Sequence, residues 1–307
     1  MDRLQPLRLG TRASALARWQ ADWVAGLLIR QGVAVETVPI TTKGDVRDGP
    51  IGAIGSQGVF TKEIQAALLD DRIDLAVHSL KDLPTVPVPG LVLAAVPPRA
   101  TADDVLVSHG AGDFDALPAR ARVGTGSTRR RAQLLYRRRD LQVLDIRGNV
   151  DTRLRLLDEG RYDALVLAAA GLQRLGLASR IGQLLPTTWM VPAVGQGALG
   201  VEVRADDMRS RAFVQRLDDE DSHRAVLAER ALLANLQGGC LAPVGAFGRV
   251  THGLLHLDAC VLDPQGTRRL AAHVTGPSQD AEQLGRRAAD ELLRQGAADL
   301  ITAARGA

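Results

Sequence analysis

The sequence predicts an α/β fold: two doubly wound lobes followed by a small C-terminal α+β domain with an antiparallel sheet. Three observations carry that prediction. Over the first two-thirds of the chain, short apolar runs alternate with longer stretches of helical periodicity, the rhythm of a sheet with helices on both faces. The proline-rich stretch from Pro84 to Pro98 interrupts this rhythm once, and a second set of similar units begins near Val105. From Arg249 onward alternating strands joined by turn signals take over, and a helix follows them.

Taken in order, Leu7 to Gly10 reads as a strand. Ser14 to Arg30 reads as a helix with Leu16, Trp19, Trp23, Leu27 and Leu28 on one broad side. Ala34 to Ile40 is a strand, Thr61 to Leu69 a helix, Asp74 to Val77 a short buried strand and Leu91 to Val96 another. In the second set, Val123-Gly124-Thr125 ends a strand and Ser127 to Arg138 opens a helix. Val143 to Ile146 is a strand, Val150 to Glu159 a helix, Ala164 to Ala168 a buried strand, and Leu199 to Val203 a further strand. The rhythm predicts largely parallel sheets. The boundaries fall at 1–98 with 198–216 for the first lobe, 103–192 for the second and 220–307 for the third.

Bulk properties narrow the function. Apolar content of 46% and charged content of 24% suit a globular protein. No apolar run is long enough to span a bilayer, so no membrane role is expected. Two cysteines in this length supply no disulfide framework, which points to a reducing cytoplasm. Only three of the 38 basic residues are lysines, Lys43, Lys62 and Lys81. Nucleic acid is not expected as a partner. The runs Arg129-Arg130-Arg131 and Arg137-Arg138-Arg139 lack interleaved aromatics, which make up 3% of the chain. Gly124-Thr125-Gly126-Ser127-Thr128-Arg129 begins like a dinucleotide fingerprint, but its sixth position is arginine. No metal is expected.

In open α/β sheets ligands bind where the loops at strand carboxyl ends converge. Those ends carry Arg12 and Ser14, Lys62, and His78-Ser79-Leu80-Lys81-Asp82 in the first lobe. In the second they carry Thr125, Ser127, Arg129, Arg130, Arg147, Arg153 and Arg174. Cations, hydroxyls and helix N-termini in this register suit a ligand bearing many carboxylates or phosphates. Asp82 is the lone acid of its cluster, suited either to capping a turn or to holding an N–H and steadying a developing cation. The segment 49–58 holds too many glycines to pack firmly and predicts a lid.

Cys240 follows a predicted helix, Ser222 to Leu236, and the pair Gly238-Gly239, which accepts the left-handed dihedrals of a helix stop. A thiol on that tight loop is reachable from outside, although a small apolar residue packed under a loop fits the same pattern. Cys260 lies in the alternating stretch Leu255 to Leu262 and reads as structural.

Together these residues resemble one family, porphobilinogen deaminase, nearly end to end. The resemblance rests on Leu9-Gly10-Thr11-Arg12-Ala13-Ser14, Thr42-Lys43-Gly44-Asp45, Val59 to Glu63 and Ala76 to Pro84. It continues through Arg129-Arg130, Arg147-Gly148-Asn149-Val150, Ala170-Gly171-Leu172, Pro192 to Ala198 and Gly238-Gly239-Cys240. It implies lobes similar to type II periplasmic binding proteins, with a third domain supplying the cysteine. It implies that Cys240 holds a dipyrromethane cofactor through a thioether and that porphobilinogen is the substrate. Four units would be added with loss of ammonia before hydrolysis releases hydroxymethylbilane. Asp82 would meet pyrrole N–H groups and stabilise the electrophilic azafulvene. Arg12, Ser14, Lys81, Thr125, Ser127, Arg129, Arg130, Arg147 and Arg153 would bind acetate and propionate groups, with Lys62, Ser79 and Arg174 nearby and Gln196 in the cleft. A monomer is expected by family analogy. The same two-lobed fold in a non-catalytic anion-binding protein is the alternative. The chain departs from the family pattern at Gln237, where an acid is common, and at Gly126-Ser127-Thr128, where Ser-Ser-Leu is more usual.

Overall fold

A computed structural model describes residues 5–41, 61–110, 112–239 and 242–305. Lys43, the expected lid at 49–58 and Cys240 lie outside the described residues.

In chain order, β1 (Leu7–Thr11) leads into α1 (Ala15–Arg30), then β2 (Val35–Pro39), α2 (Lys62–Leu69), β3 (Leu75–Ser79) and β4 (Leu91–Ala95). The chain continues with β5 (Asp104–Ser108), β6 (Arg122–Gly124), α3 (Thr128–Arg137), β7 (Gln142–Leu144), α4 (Val150–Asp158), β8 (Ala164–Ala168), α5 (Ala169–Arg174) and β9 (Gln183–Leu185). After β10 (Leu199–Arg204), α6 (Met208–Val214) and α7 (Glu220–Asn235), three strands follow: β11 (Val244–Thr251), β12 (Leu254–Leu262) and β13 (Arg269–Pro277). Two helices, α8 (Ala281–Arg294) and α9 (Ala297–Arg305), complete the described chain. Neither β9, α6 nor α9 was expected from local pattern.

The molecule divides into two compact units, Met1–Arg99 with Ala198–His223, and Ala100–Gly197 with Arg224–Ala307. The first holds one five-stranded sheet in the order β2-β1-β3-β10-β4. The second holds a five-stranded sheet, β7-β6-β8-β5-β9, and the three-stranded sheet β11-β12-β13. The expectation of largely parallel sheets is corrected. β1 runs parallel to β2 and β3, but β10 is antiparallel to both β3 and β4. Likewise β6 is parallel to β7 and β8, while β5 is antiparallel to β8 and β9. The reason is topological. β5 and β10 each follow a passage from one unit to the other and enter the sheet against the direction set by its βαβ core. Apolar runs encode burial, not direction, so the pattern could not show this.

The two large sheets repeat each other down to side chains. At the start of β1, Arg8 donates its backbone N–H to Asp74 Oδ2 (2.7 Å) and its Nη2 to Oδ1 (2.7 Å). At the start of β6, Arg122 does the same to Asp163, both at 2.7 Å. Hydrogen bonds from Arg122 hold the Asp163 carboxyl below the usual carboxylate range. Burial pushes Asp74 upward, but the bonds from Arg8 outweigh it and the net direction is down.

Each unit has its own core. In the first, Leu7, Leu9, Val24, Leu28, Leu75 and Val201 pack α1 on the sheet. In the second, Val123, Leu134, Val143 and Val166 fill one face of the sheet, and Val105, Leu157, Leu165 and Leu172 the other. The antiparallel sheet buries Leu255, Leu257, Ala259 and Val261 against Leu284, Ala288 and Leu292 of α8. Cys260, on the opposite face of β12, is fully buried, and burial pushes its thiol upward. This agrees with a structural role for that cysteine.

Candidate functional site

In the first unit the parallel strands end where the expected residues stand. β1 passes into Arg12 and Ser14, and Ser14 caps α1 by accepting the Ala17 N–H at 3.3 Å. That leaves the other N–H groups of the first turn facing outward with their partial positive charge. β3 ends at Ser79, whose hydroxyl exchanges hydrogen bonds with the buried amide of Gln20, 2.8 Å from its Nε2. A single 3₁₀ turn, Leu80–Asp82, follows: Leu80 is buried as its anchor, while Lys81 and Asp82 are exposed. Arg12, Ser14, Gln20, His78, Ser79 and Asp82 line one small cavity of about 70 Å³. Thr61, whose buried hydroxyl has no hydrogen-bond partner among the described residues, lines it too. Lys62 is exposed at the start of α2.

Through His78 the wall of this cavity joins a buried polar group that local sequence gave no reason to expect. His78 Nε2 sits 2.9 Å from Glu202 Oε2, and Gln65 Nε2 bonds both Glu202 oxygens at 3.2 and 3.1 Å. It links β3, β10 and α2 behind the Asp82 turn.

In the second unit Ser127 caps α3 by accepting the Arg130 N–H (3.4 Å), and Thr125 Oγ1 accepts the Ser127 N–H (3.2 Å). Arg147 is exposed and bonds Asp145 at 2.9 Å. Arg153 Nε donates to the Gly148 carbonyl at 2.9 Å, just before the Asn149 cap of α4. Arg174 donates to the Gly197 carbonyl at 2.7 Å, and burial pushes it down to about 10, so it remains a cation at neutral pH.

Arg129, Arg130 and Gln196 are gathered around a carboxylate of the chain itself. Both arginines are buried and share one carboxylate, the fully buried Asp104 at the start of β5. Arg129 Nη1 lies 2.7 Å from Asp104 Oδ2, and Arg130 reaches Oδ1 through Nε (2.9 Å) and Nη2 (2.7 Å). Gln196 donates to the same Oδ1 (3.0 Å) and to the Ala102 carbonyl (2.6 Å). The acid they hold is the chain's own. Burial works to raise Asp104, but its two arginines prevail and hold it down at about 2. Local sequence does not show which residues Asp104 would hold: it is an acid abutting the apolar run Val105-Leu106-Val107.

The loop carrying Gln196 is fixed from both sides. Gly197 has φ +84°, and a Cβ there would come within 2.5 Å of the Thr101 carbonyl oxygen. Glu229 of α7, fully buried, accepts the N–H groups of Gly195 and Gly248, each at 2.7 Å. The end of α7 corrects the glycine argument. The left-handed residue is Gln237 (φ 51°), and Gly238 donates to the Leu233 carbonyl at 3.1 Å, closing the helix end. Gly238 packs closely, and a Cβ there would make Leu233 Cδ1, 2.7 Å away, move aside. Gln237→Gly is therefore expected to raise stability by about 0.5–1 kcal/mol, readable as a higher denaturation midpoint. An unchanged or lower midpoint would contradict that strain.

Among the described residues, no helix is long and apolar enough to cross a membrane. Residues 7–212 match the family description "Porphobilinogen deaminase, dipyromethane cofactor binding domain", and residues 223–294 match its C-terminal domain. A porphobilinogen deaminase from Syntrophotalea carbinolica is 47% identical over 300 residues, 97% of this chain and 95% of that protein. One from Acidithiobacillus ferrooxidans is 49% identical over 304 residues, 98% and 99% of the two chains. Among solved structures, the methionine-binding protein MetQ aligns with 75% of this chain and 93% of its own, at 13% identity and a TM-score of 0.46.

Proposed function

The chain belongs to the porphobilinogen deaminase family, and on that premise we propose how its residues share the work. It is an enzyme, a hydroxymethylbilane synthase. It joins four porphobilinogen molecules head to tail with loss of ammonia and releases hydroxymethylbilane.

Each pyrrole unit of substrate or of the family's dipyrromethane cofactor brings one N–H donor and two carboxylates. The donor set around the first unit's cavity fits that chemistry: a carboxylate acceptor, Asp82, beside Arg12 and the hydroxyls of Ser14 and Ser79. When bound, the cofactor supplies the pyrrole position at which chain growth starts. We assign its attachment, as a thioether, to Cys240.

Asp82 accepts the pyrrole N–H and steadies the positive charge left on the substrate as ammonia departs. Arg12, Lys62, Lys81 and the N-terminal turn of α1 at Ser14 take acetate and propionate groups by charge-assisted bonds, with Ser79 alongside. In the second unit Thr125, Ser127, Arg147, Arg153 and Arg174 do the same. Arg129 and Arg130 complete the set of cations for the ligand carboxylates, with Gln196 beside them, and Asp104 keeps all three side chains in place. The observation that carries this reading is the meeting of Asp82, Arg12, Ser14 and Ser79 on one cavity. A monomer working in a reducing cytoplasm is part of the proposal, supported by family analogy and by cysteine usage.

Product stoichiometry tests the reaction. Purified holoenzyme given porphobilinogen is expected to release four ammonia molecules per bilane. Capture of porphobilinogen with no ammonia released would favour the non-catalytic alternative.

A further inference from the structure

The antiparallel sheet has a second face, and part of it is uncovered. Cross-strand pairs share a face. The register Phe247↔Asp258↔His273 and Gly245↔Cys260↔Ala271 therefore puts these side chains on the side away from α8. Near Cys260 and Leu262 this face packs on Ala132 and Val191 of the same unit. Beyond Val191 the surfaces part and leave a cavity of about 580 Å³, in the range of small-molecule sites.

Charge in the cavity is unbalanced. Asp258 is already committed: it lies 2.7 Å from Arg249 and 2.7 Å from His273. Arg269, which also lines the cavity, stands close to the buried Cys260 thiol but makes no ion pair among the described residues, and its buried Nε has no hydrogen-bond partner there. Thr187 and Thr188 bring hydroxyls to the opposite wall, and Val191, Phe247 and Ala271 supply apolar surface. The wall is pre-organised. Gln133 clasps Val191 through both backbone groups, at 2.8 and 3.0 Å, and Arg129 bonds its carbonyl at 2.6 Å. A guanidinium without a carboxylate partner in a partly apolar slot matches an anion on a flat hydrocarbon body.

We propose that this cavity is a second ligand site, taking a small aromatic carboxylate whose acid group is held by Arg269 and whose ring lies between Val191 and Phe247. It is separate from the residues assigned to bilane synthesis and does not rest on the roles of Asp82 or Cys240.

Benzoate and inorganic phosphate are the probes, added to holoenzyme whose unfolding is followed by heating. Benzoate is expected to raise the melting temperature saturably, by about 2 °C or more at several times Kd. Phosphate should do less, for want of an apolar body. The benzoate shift should vanish in Arg269→Gln, survive in part in Arg269→Lys, and vanish in Ala271→Met, which fills the slot and keeps the cation. Without ligand, all three variants should make bilane within about twofold of wild type, since none touches the proposed reaction site. An equal benzoate shift in wild type and Ala271→Met would overturn the proposal. So would no shift at about 50 mM benzoate, a concentration well above any millimolar Kd, or a larger shift with phosphate.

Discussion

Asp82→Ala is expected to lower kcat by about 10²–10³-fold while leaving the protein folded. Asp82 is exposed on a 3₁₀ turn whose anchor is Leu80, so removing its carboxylate leaves the core untouched. Exposed substitutions away from caps and buried pairs usually shift stability by about 0.5 kcal/mol or less. The loss should therefore appear as turnover, not as a lower melting temperature. If the carboxylate acts on charge that develops only as ammonia leaves, kcat and kcat/KM fall together. Asp82→Asn keeps an oxygen acceptor but not the charge and should recover only a small part of the rate. Bilane production near the wild-type rate by Asp82→Ala would remove the acid from the chemistry.

Asp104→Ala is expected to cost about 3–5 kcal/mol, the usual consequence of stripping one partner from a buried ion pair. Here the deletion strands two guanidinium groups, Arg129 and Arg130, each buried and within 2.7 Å of the missing carboxylate. The same group sets an acid limit. Its folded pKa, about 2, lies below the ordinary carboxylate value of roughly 3.9, so its contribution is complete above that value. It is lost as pH falls toward about 2. Unfolding free energies measured from pH 5 downward should show wild type losing stability in that window, and Asp104→Asn, already weaker, losing less. A variant as stable as wild type at neutral pH would show that the network contributes nothing.

Legibility divides along physical lines. Ser14 and Ser127 could be placed at helix starts because the periodic runs that follow them are a local signal, and in the structure they cap α1 and α3. The strand ends could be placed because apolar runs mark burial. Strand direction could not, and β5 and β10 run against their neighbours. The pairing of Arg129 and Arg130 with Asp104 could not be placed, because the acid lies 25 and 26 residues earlier and meets them only after folding. The Gln237 conformation was invisible for a similar reason: two glycines beside it offered an easier account of the helix end, and the chain uses one of them for closeness instead. Glu202, behind His78, joins the site from a strand over a hundred residues away in sequence.

One number bears most directly on the tether: the intact mass of the denatured, active protein. Wild type should carry an adduct equal to two pyrrole units and give a pyrrole colour reaction. Cys260→Ala should keep that adduct, because the buried thiol has a structural role, whereas Cys240→Ala should show the bare polypeptide mass and no turnover. Fully active wild type with an unmodified mass, or an adduct that persists in Cys240→Ala, would contradict the account.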